Sequence, residues 1–471
     1  MQTLVMKFGG TSVGKAEAIR QSADIVLAAK KDWPRVVVVV SAMSGVTDAL
    51  LKGAHTAAAG DAATFRTIAA DLRNKHFAAL EALMPPGAQG QARAEVLTYL
   101  SEFEALCHAV NVLGEASARA LDTISSLGER MSIHLMAAYL QSVGAKSEAV
   151  EASDLIITDA HYQSANPISD LTRAATQARL TPLLDRDVIP VVTGFIGATA
   201  DGVITTLGRG GSDYSAAILA VALDADEVWI LTDVDGVMTT DPRIVPGAQT
   251  LAELTYREIS ELAYYGAKVL HPKTIRPVIE RGIALWVKNT FNPQHPGTQI
   301  VKDNGRDERP HTQGDIKAVT VIRGQTMLTV EGRGMLGVPG VAARTFGAVA
   351  RTHTSISLIT QASSEQSICF TIPSVSTSLV IAALHDEFRR ELEQQDIDDV
   401  VALENVVIVT VVGAGMRHTT GIAGRIFSAL GNDRLNVIAI AQGSSECSIS
   451  LIVDAKDGDE SVRSIHRLIA N

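Results

Sequence analysis

Three glycine-rich segments each set charged side chains beside open backbone, an arrangement suited to holding anions. The first is Lys7-Phe8-Gly9-Gly10-Thr11-Ser12-Val13-Gly14-Lys15. It follows a strand-like run and opens a helical pattern, so bare N–H groups and a helix start both favour negative charge there. Gly9 and Gly14-Lys15 have the spacing of a P-loop, but Ala16 stands where that loop needs a Ser or Thr for magnesium. A P-loop is therefore rejected, Lys15 reads as a solvated lysine, and Lys7 is the candidate cation. The second segment is Thr205-Thr206-Leu207-Gly208-Arg209-Gly210-Gly211-Ser212-Asp213-Tyr214. Capping of the next helix would account for Ser212 and Asp213. It does not account for an arginine inside a glycine turn, where Arg209 is presented for two-pronged capture of a carboxylate or phosphate. The third, Thr232-Asp233-Val234-Asp235-Gly236-Val237-Met238-Thr239-Thr240-Asp241-Pro242-Arg243, is a polar loop suited to a nucleotide edge. Alone it is a weak signal, because Asp-Gly and Asp-Pro are common turns.

The elements that must position these loops alternate in type. Val36–Val40, Ile189–Thr193 and Glu227–Thr232 read as strands buried on both faces. Helical patterns cover Ala16–Lys30, a long region from about Asp48 to Leu113, Glu129–Gln141 and Asp213–Leu223. This order predicts an α/β fold with a doubly wound, mostly parallel sheet, in which ligands bind at the carboxyl ends of strands. Each glycine-rich segment falls at such an end.

The chain of 471 residues predicts more than one domain. A net charge of -11 excludes nucleic acid as the main partner, since phosphate backbones need basic stripes. No run approaches a membrane span, so no membrane partner is expected. Cys107, Cys369 and Cys447 lack metal-like spacing and read as buried free thiols of a reducing compartment. The strand pattern begins at Leu4, leaving no room for a leader peptide, and a cytoplasmic location is expected. The histidines do not pair at ligand spacings, so no metal site is assigned.

A polar stretch, Lys302 to Pro310, reads as a linker, and beyond it the chain repeats itself. Gly332, Gly334, Met335, Gly340, Ala342, Arg344 and Phe346 recur 81 residues later as Gly413, Gly415, Met416, Gly421, Ala423, Arg425 and Phe427. Gln361 recurs as Gln442 at the same offset. Each unit reads strand, glycine turn, helix, strand, strand, a βαββ module that needs a neighbour to cover its sheet. The expected division is 1–300 for the first domain, 301–316 for the linker, and 317–400 and 401–471 for the two modules.

In order, the segments KFGGTSVG, TTLGRGGSDYSA, TDVDGVMTTDPR and YYGAKVLHPKT resemble those of the aspartate kinases in the amino-acid kinase superfamily. The two C-terminal units resemble ACT domains, and the likeness spans essentially the whole chain. It implies transfer of the ATP γ-phosphoryl group, with Mg²⁺ on the nucleotide, to the β-carboxylate of L-aspartate. The nucleophile is already an anion, so no general base is needed, and catalysis rests on positioning and charge neutralisation. The resemblance implies that Lys7, Gly9 and Gly10 hold the phosphates. Ser41 and Thr47 line the substrate, Glu129 pairs its α-ammonium, and Arg209 clamps a carboxylate. Asp213 orients Lys7 or holds the amine. Thr232, Asp233, Met238, Arg243 and Lys268 lie at the nucleotide, with Met238 where many members carry a tyrosine. At a helix start, Glu129 has a plain alternative in favouring the dipole. The chain stops after the second ACT-like unit and is expected to lack the homoserine dehydrogenase part of bifunctional relatives.

For the ACT-like units the resemblance implies an end-product amino acid at the Gly337–Ala342 turn. Gly340, Val341 and Ala342 would take its carboxylate, and Ser357, Gln361, Ser364 and Gln442 would select it. No aspartate stands near Ser357, where lysine-sensing relatives tend to carry one, so feedback by threonine is expected, with lysine the alternative. A homodimer or dimer of dimers is expected. Competing readings are a sibling kinase acting on glutamate, N-acetylglutamate or a nucleoside monophosphate, and a non-catalytic amino-acid sensor. The presence of Lys7, Glu129, Arg209 and Asp213 weighs against the last.

Overall fold

The computed structural model describes residues 2–264, 270, 272–302, 316–335, 338–362, 366–416, 419–443 and 447–469. The expected linker and Lys268, Gly337 and Ser364 lie, almost entirely, outside them. The chain divides into two compact units.

The first unit is built on an eight-stranded sheet. Its strands are β1 (Thr3–Phe8), β2 (Arg35–Val40), β3 (Ser147–Val150), β5 (Ile189–Thr193), β8 (Glu227–Thr232), β9 (Glu253–Thr255), β10 (Ala284–Asn289) and β11 (Thr298–Val301). A small sheet beside it is formed by β4 (Ile157–Thr158), β6 (Ile196–Thr199) and β7 (Ile204–Thr206). The large sheet runs β3-β5-β2-β1-β8-β10-β11-β9, with β10 and β11 antiparallel and the other described pairs parallel. The five valines of β2 have no exposed surface, the burial expected of a central parallel strand covered on both faces. β1 lies between β2 and β8, so the first and third glycine-rich segments leave neighbouring strand ends.

The long region expected from Asp48 to Leu113 is three helices, Val46–Ala58, Ala62–Leu83 and Gly90–Leu113. Asp61 ends the first interval by capping the next helix, accepting from the N–H groups of Ala63 and Thr64. Pro85-Pro86 makes the second break. A fourth helix, Ala118–Ser142, starts eleven residues earlier than the expected Glu129, because Ser117 caps it through the Ala120 N–H. Glu129 thus lies in a helix interior and cannot serve the helix dipole.

The second unit is one six-stranded antiparallel sheet holding both repeats. Its strands are β12 (Ala318–Glu331), β13 (Leu358–Gln361), β14 (Ser367–Pro373), β15 (Asp399–Val412), β16 (Ala439–Gln442) and β17 (Ser448–Asp454), in the order β13-β14-β12-β15-β17-β16. The long strands β12 and β15 pair at the centre, so each module covers the other's edge. Each module also ends in a helix the βαββ expectation lacked, Thr377–Glu387 and Gly458–His466. These bury Val380 and Leu384, and Val462 and Ile465, on the sheet.

Residues 1–300 do not all fall in the first unit. Met238–Gln249 and residues 257–264 belong to the second. Ile244 is buried with Val319, Val409 and Ile465, the Val319 N–H donates to the Thr239 carbonyl, and Thr239 Oγ1 lies 2.9 Å from His466 Nε2. Glu258, on the helix Tyr256–Tyr264, has a fully buried side chain. It accepts from the Ala414 N–H at 2.7 Å and from Lys317 Nζ at 2.9 Å. Glu261 accepts from Ser448 Oγ. The apolar and polar partners of these segments come from the second repeat, which is why the expected boundary near 300 is not followed. Cys107 and Cys447 are buried free thiols, whereas Cys369 is half-buried, since its strand β14 presents it on the less covered face. Among the described residues no helix is long and apolar enough to cross a membrane.

Candidate active site

A cavity of about 560 Å³ opens at the carboxyl ends of β1 and β2. Lys7, Gly10, Ser41, Thr47, Glu129, Arg209 and Asp213 all line it, so the structure brings together seven residues singled out by sequence. Gly9 adjoins it: its N–H donates to the Leu231 carbonyl, and a Cβ there would sit 3.6 Å from Lys7 Nζ.

Lys7, next to last in β1, has Nζ 2.6 Å from Asp213 Oδ1, and the two side chains are 11% and 13% exposed. The approach lies off the hydrogen-bonding direction, so Oδ1 keeps unused acceptor capacity. In this structure Asp213 is paired with Lys7. Arg209 occupies a turn between Gly208 (φ 78°) and Gly210 (φ 72°), conformations that a residue with a Cβ rarely adopts. The side chain is exposed and forms no ion pair among the described residues.

Glu129 is 4% exposed, and its Oε2 has no hydrogen-bond partner among the described residues. Its entry into the cavity depends on the preceding residue. A Cβ on Gly128 would come within 2.8 Å of the Ala42 Cβ, so only glycine lets the helix approach the loop that carries Ser41 and leads into the helix of Thr47. Burial pushes the Glu129 carboxyl up to about 8, against the pull of the Ala42 N–H, its own N–H and the Lys7 charge. The unfolded chain releases this proton near 4.5 and the folded chain holds it until about 8. Its stabilising contribution is therefore complete below 4.5 and is lost as the pH climbs through 8. Glu129→Gln removes that slope. In ligand-free melting curves the variant's Tm should gain on the wild type between pH 5 and 8, and level off above.

Sequence reasoning missed Asp122, Gln163, Phe195 and Thr206, which also line the cavity. Phe195 has φ 67° in a γ-turn closed by Ile196 N–H to the Gly194 carbonyl, a strained form of the kind that gathers at functional sites. A phenylalanine directly after a glycine at the end of β5 was the available signal. Asp122 gave no signal, because its partners lie 41 and 84 residues away.

Thr232 ends β8 and Asp233 follows it, one and two residues beyond the Leu231 that binds Gly9, and Thr232 Oγ1 donates to Asp233 Oδ1. They do not line the cavity. Met238 and Arg243 belong to the second unit, where exposed Arg243 pairs with Asp241 at 2.6 Å. Also in the second unit, Gly340, Val341, Ala342 and Gln361 line a separate cavity of about 380 Å³ with Val338 and Ile368. Gly340 (φ 92°) opens the helix Val341–Arg351 there, as Gly421 (φ 86°) opens Ile422–Asn432. Ser357 and Gln442 are not on its wall; Ser357 immediately precedes β13, its backbone N–H donating to the Thr371 carbonyl, and Gln442 lies on the other module's edge strand.

No group of three or more His, Cys, Asp or Glu that could hold a metal is present among the described residues. Magnesium arriving on nucleotide phosphates needs only one or two carboxylates besides phosphate and water. On the cavity wall Asp213 offers such a carboxylate, with Oδ1 making no hydrogen bond, whereas Asp233 lies off that wall.

Residues 2–289 match the model of the amino acid kinase family, and residues 328–388 and 409–468 each match that of an ACT domain. The chain is 35% identical over 98% of its length to the chloroplastic bifunctional aspartokinase/homoserine dehydrogenase 1 of Zea mays, covering 50% of that protein. It thus spans about half the length of the first of the curated relatives it matches. It is 33% identical to the chloroplastic aspartokinase 1 of Arabidopsis thaliana, over 99% of this chain and 80% of that one. Among solved structures, E. coli aspartokinase III with aspartate and ADP (R-state) superposes with a TM-score of 0.81 at 30% identity. Its complex with lysine and aspartate (T-state) superposes at 0.80 and 31%. Both superpositions cover all of each chain.

Proposed function

The chain belongs to the amino acid kinase family, and from that premise we propose that it phosphorylates the β-carboxylate of L-aspartate with ATP. The observation that carries the reading is the meeting of Lys7, Glu129 and Arg209 around one cavity. A small ligand with one ammonium and two carboxylates matches one buried carboxyl group and two cations. Glu129 takes the α-ammonium, whose charge supplies the counter-ion its Oε2 lacks. Arg209 takes the α-carboxylate with its fork, and Ser41 and Thr47 complete the hydrogen bonds. This leaves the β-carboxylate facing Lys7. One of its oxygens forms the new bond to the γ-phosphorus as the bond to the ADP oxygen breaks, and no proton moves. Lys7, steered by Asp213, neutralises charge on the phosphoryl oxygens during transfer.

The Gly9-Gly10 backbone, Thr232 and Asp233 form the nucleotide edge of the first unit. Met238 and Arg243 are given to the nucleotide by motif alone, Met238 offering the base a thioether contact. Mg²⁺ on the phosphates would add charge neutralisation, with Asp213 or Asp233 as its protein ligand.

A coupled ADP-release assay with aspartate, glutamate, N-acetylglutamate and UMP tests the reading. Aspartate should be the preferred acceptor. Preference for another acceptor would replace the reading with a sibling kinase, and no turnover with any would leave the sensor reading.

The same proposal places a feedback amino acid in the cavity at Gly340–Ala342, with backbone N–H groups for its carboxylate and Gln361 for its side chain. No acidic side chain is among the described residues of that wall, which favours a hydroxyl ligand, threonine, over the ammonium of lysine. Threonine should lower the initial rate, with an apparent coupling of about 1–3 kcal/mol. Titration with threonine, lysine, methionine and isoleucine decides between effectors. Assembly as a homodimer or dimer of dimers belongs to the same reading. It is supported by β13, an edge strand on which Ile359 is 50% exposed.

A further inference from the structure

We infer that Asp122 is a positioning residue that sets the distance between the ammonium-binding and carboxylate-binding groups of the cavity; this rests on the aspartate kinase reading. Asp122 is 1% exposed, on the helix Ala118–Ser142, two turns before Glu129. Residues seven apart share a helix face, so whatever Asp122 grips fixes Glu129 as well.

It grips the base of the arginine turn. The carboxylate accepts from the Thr206 N–H at 3.0 Å and from Thr206 Oγ1 at 2.7 Å, three residues before Arg209. It also accepts from the Gln163 N–H at 2.9 and 3.1 Å, one oxygen each. Gln163 itself (φ 68°) lies beneath the turn: its carbonyl oxygen is 3.0 Å from where a Cβ on Gly208 would stand. The Ala165 N–H closes the layer by donating to the Thr206 carbonyl. One carboxylate therefore joins three segments remote in sequence, and two of them carry Glu129 and Arg209.

Every group bonded to Asp122 is a neutral N–H or O–H. A buried anion satisfied only by neutral donors is a costly way to brace a fold. It is a stiff way to hold a turn, because charged acceptors make shorter and stronger hydrogen bonds. An asparagine fits the space but turns an NH₂ group toward N–H donors and cannot accept all three bonds. The turn would then drift from the helix. Glu129 and Arg209 together grip the α-ammonium and α-carboxylate, so this drift weakens the hold on the amino-acid end of the substrate and leaves the nucleotide side untouched.

Asp122→Asn and the milder Thr206→Val are compared with wild type in the ADP-release assay. For Asp122→Asn the KM for aspartate should rise about tenfold or more, the loss of a hydrogen bond to a charged group. The KM for ATP should stay within about twofold. Thr206→Val should move the same quantities in the same direction by less, and combining the two should add little to Asp122→Asn alone. If Asp122→Asn does not fold, Thr206→Val alone carries the test. Unchanged kinetics or a parallel rise in both KM values overturns the proposal. Wild-type protein with no aspartate-dependent turnover sinks the kinase reading and this proposal with it. An active wild type with indifferent variants sinks this proposal alone.

Discussion

Lys7→Met should lower kcat by about 10²–10³ while leaving aspartate binding nearly intact, the cost usual for one lost charge-stabilising donor. The size of the effect follows from where the charge sits. Lys7 is next to last in a central strand, beside the Gly9-Gly10 backbone, and is steered by Asp213 at 2.6 Å. At 11% exposure it is screened from water, so its charge acts at close to full strength. The residues proposed to hold aspartate, Glu129 and Arg209, are untouched, so the loss falls on kcat and not on the substrate KM. Asp213→Asn should give a smaller loss, because the lysine stays but its aim is relaxed. Initial rates with both substrates saturating, beside equilibrium dialysis of aspartate, measure the two quantities separately. A kcat for Lys7→Met within a few-fold of wild type would remove Lys7 from the chemistry.

Arg209→Lys should raise the KM for aspartate by about 10- to 100-fold with little change in that for ATP, the range spanned by hydrogen bonds to a charged group. The substitution keeps the charge and loses the fork. The surrounding turn makes that loss hard to repair. Gly208 and Gly210 hold positive φ on both sides, and the layer beneath is occupied by Gln163 and Ser164, so the backbone cannot move to bring a single ammonium onto both carboxylate oxygens. No neighbouring acid among the described residues competes for the side chain, so its whole hydrogen-bonding capacity is available to a ligand. Equal rises in both KM values would point to a displaced turn instead of a lost clamp.

The parts of this molecule legible in the sequence are those written in local pattern. The valine run of β2 marks a central strand, and the glycines around Arg209 mark a turn of unusual conformation. The offset of 81 between repeats marks two modules that share a sheet. Glu129 was found, but its setting was misread. Its helix is announced by Ser117, twelve residues earlier, and the apolar pattern between them is interrupted by polar residues that prove buried, Asp122, Ser125 and Ser126. Asp122 was not found at all, since its meaning lies in backbone donors supplied by remote loops. The closing helix of each module was missed because Thr377–Glu387 begins with an apolar run that reads equally as a strand. The placement of residues 238–249 could not be read for the same reason as Asp122. Ile244 shows its partners only when Val319, Val409 and Ile465 are folded around it.

That placement makes the repeat region a poor interchangeable part. A gene cut at residue 303 would release a fragment whose Ile244 has lost its apolar lining and whose Glu258 has lost both Ala414 and Lys317. Recombination that exchanged the tail for one from another lineage would meet the same mismatch unless Thr239, Glu258 and Glu261 were exchanged with it. Residues 238–249 and 257–264 are therefore inherited with the repeats, as one piece that starts well upstream of where the repeat begins.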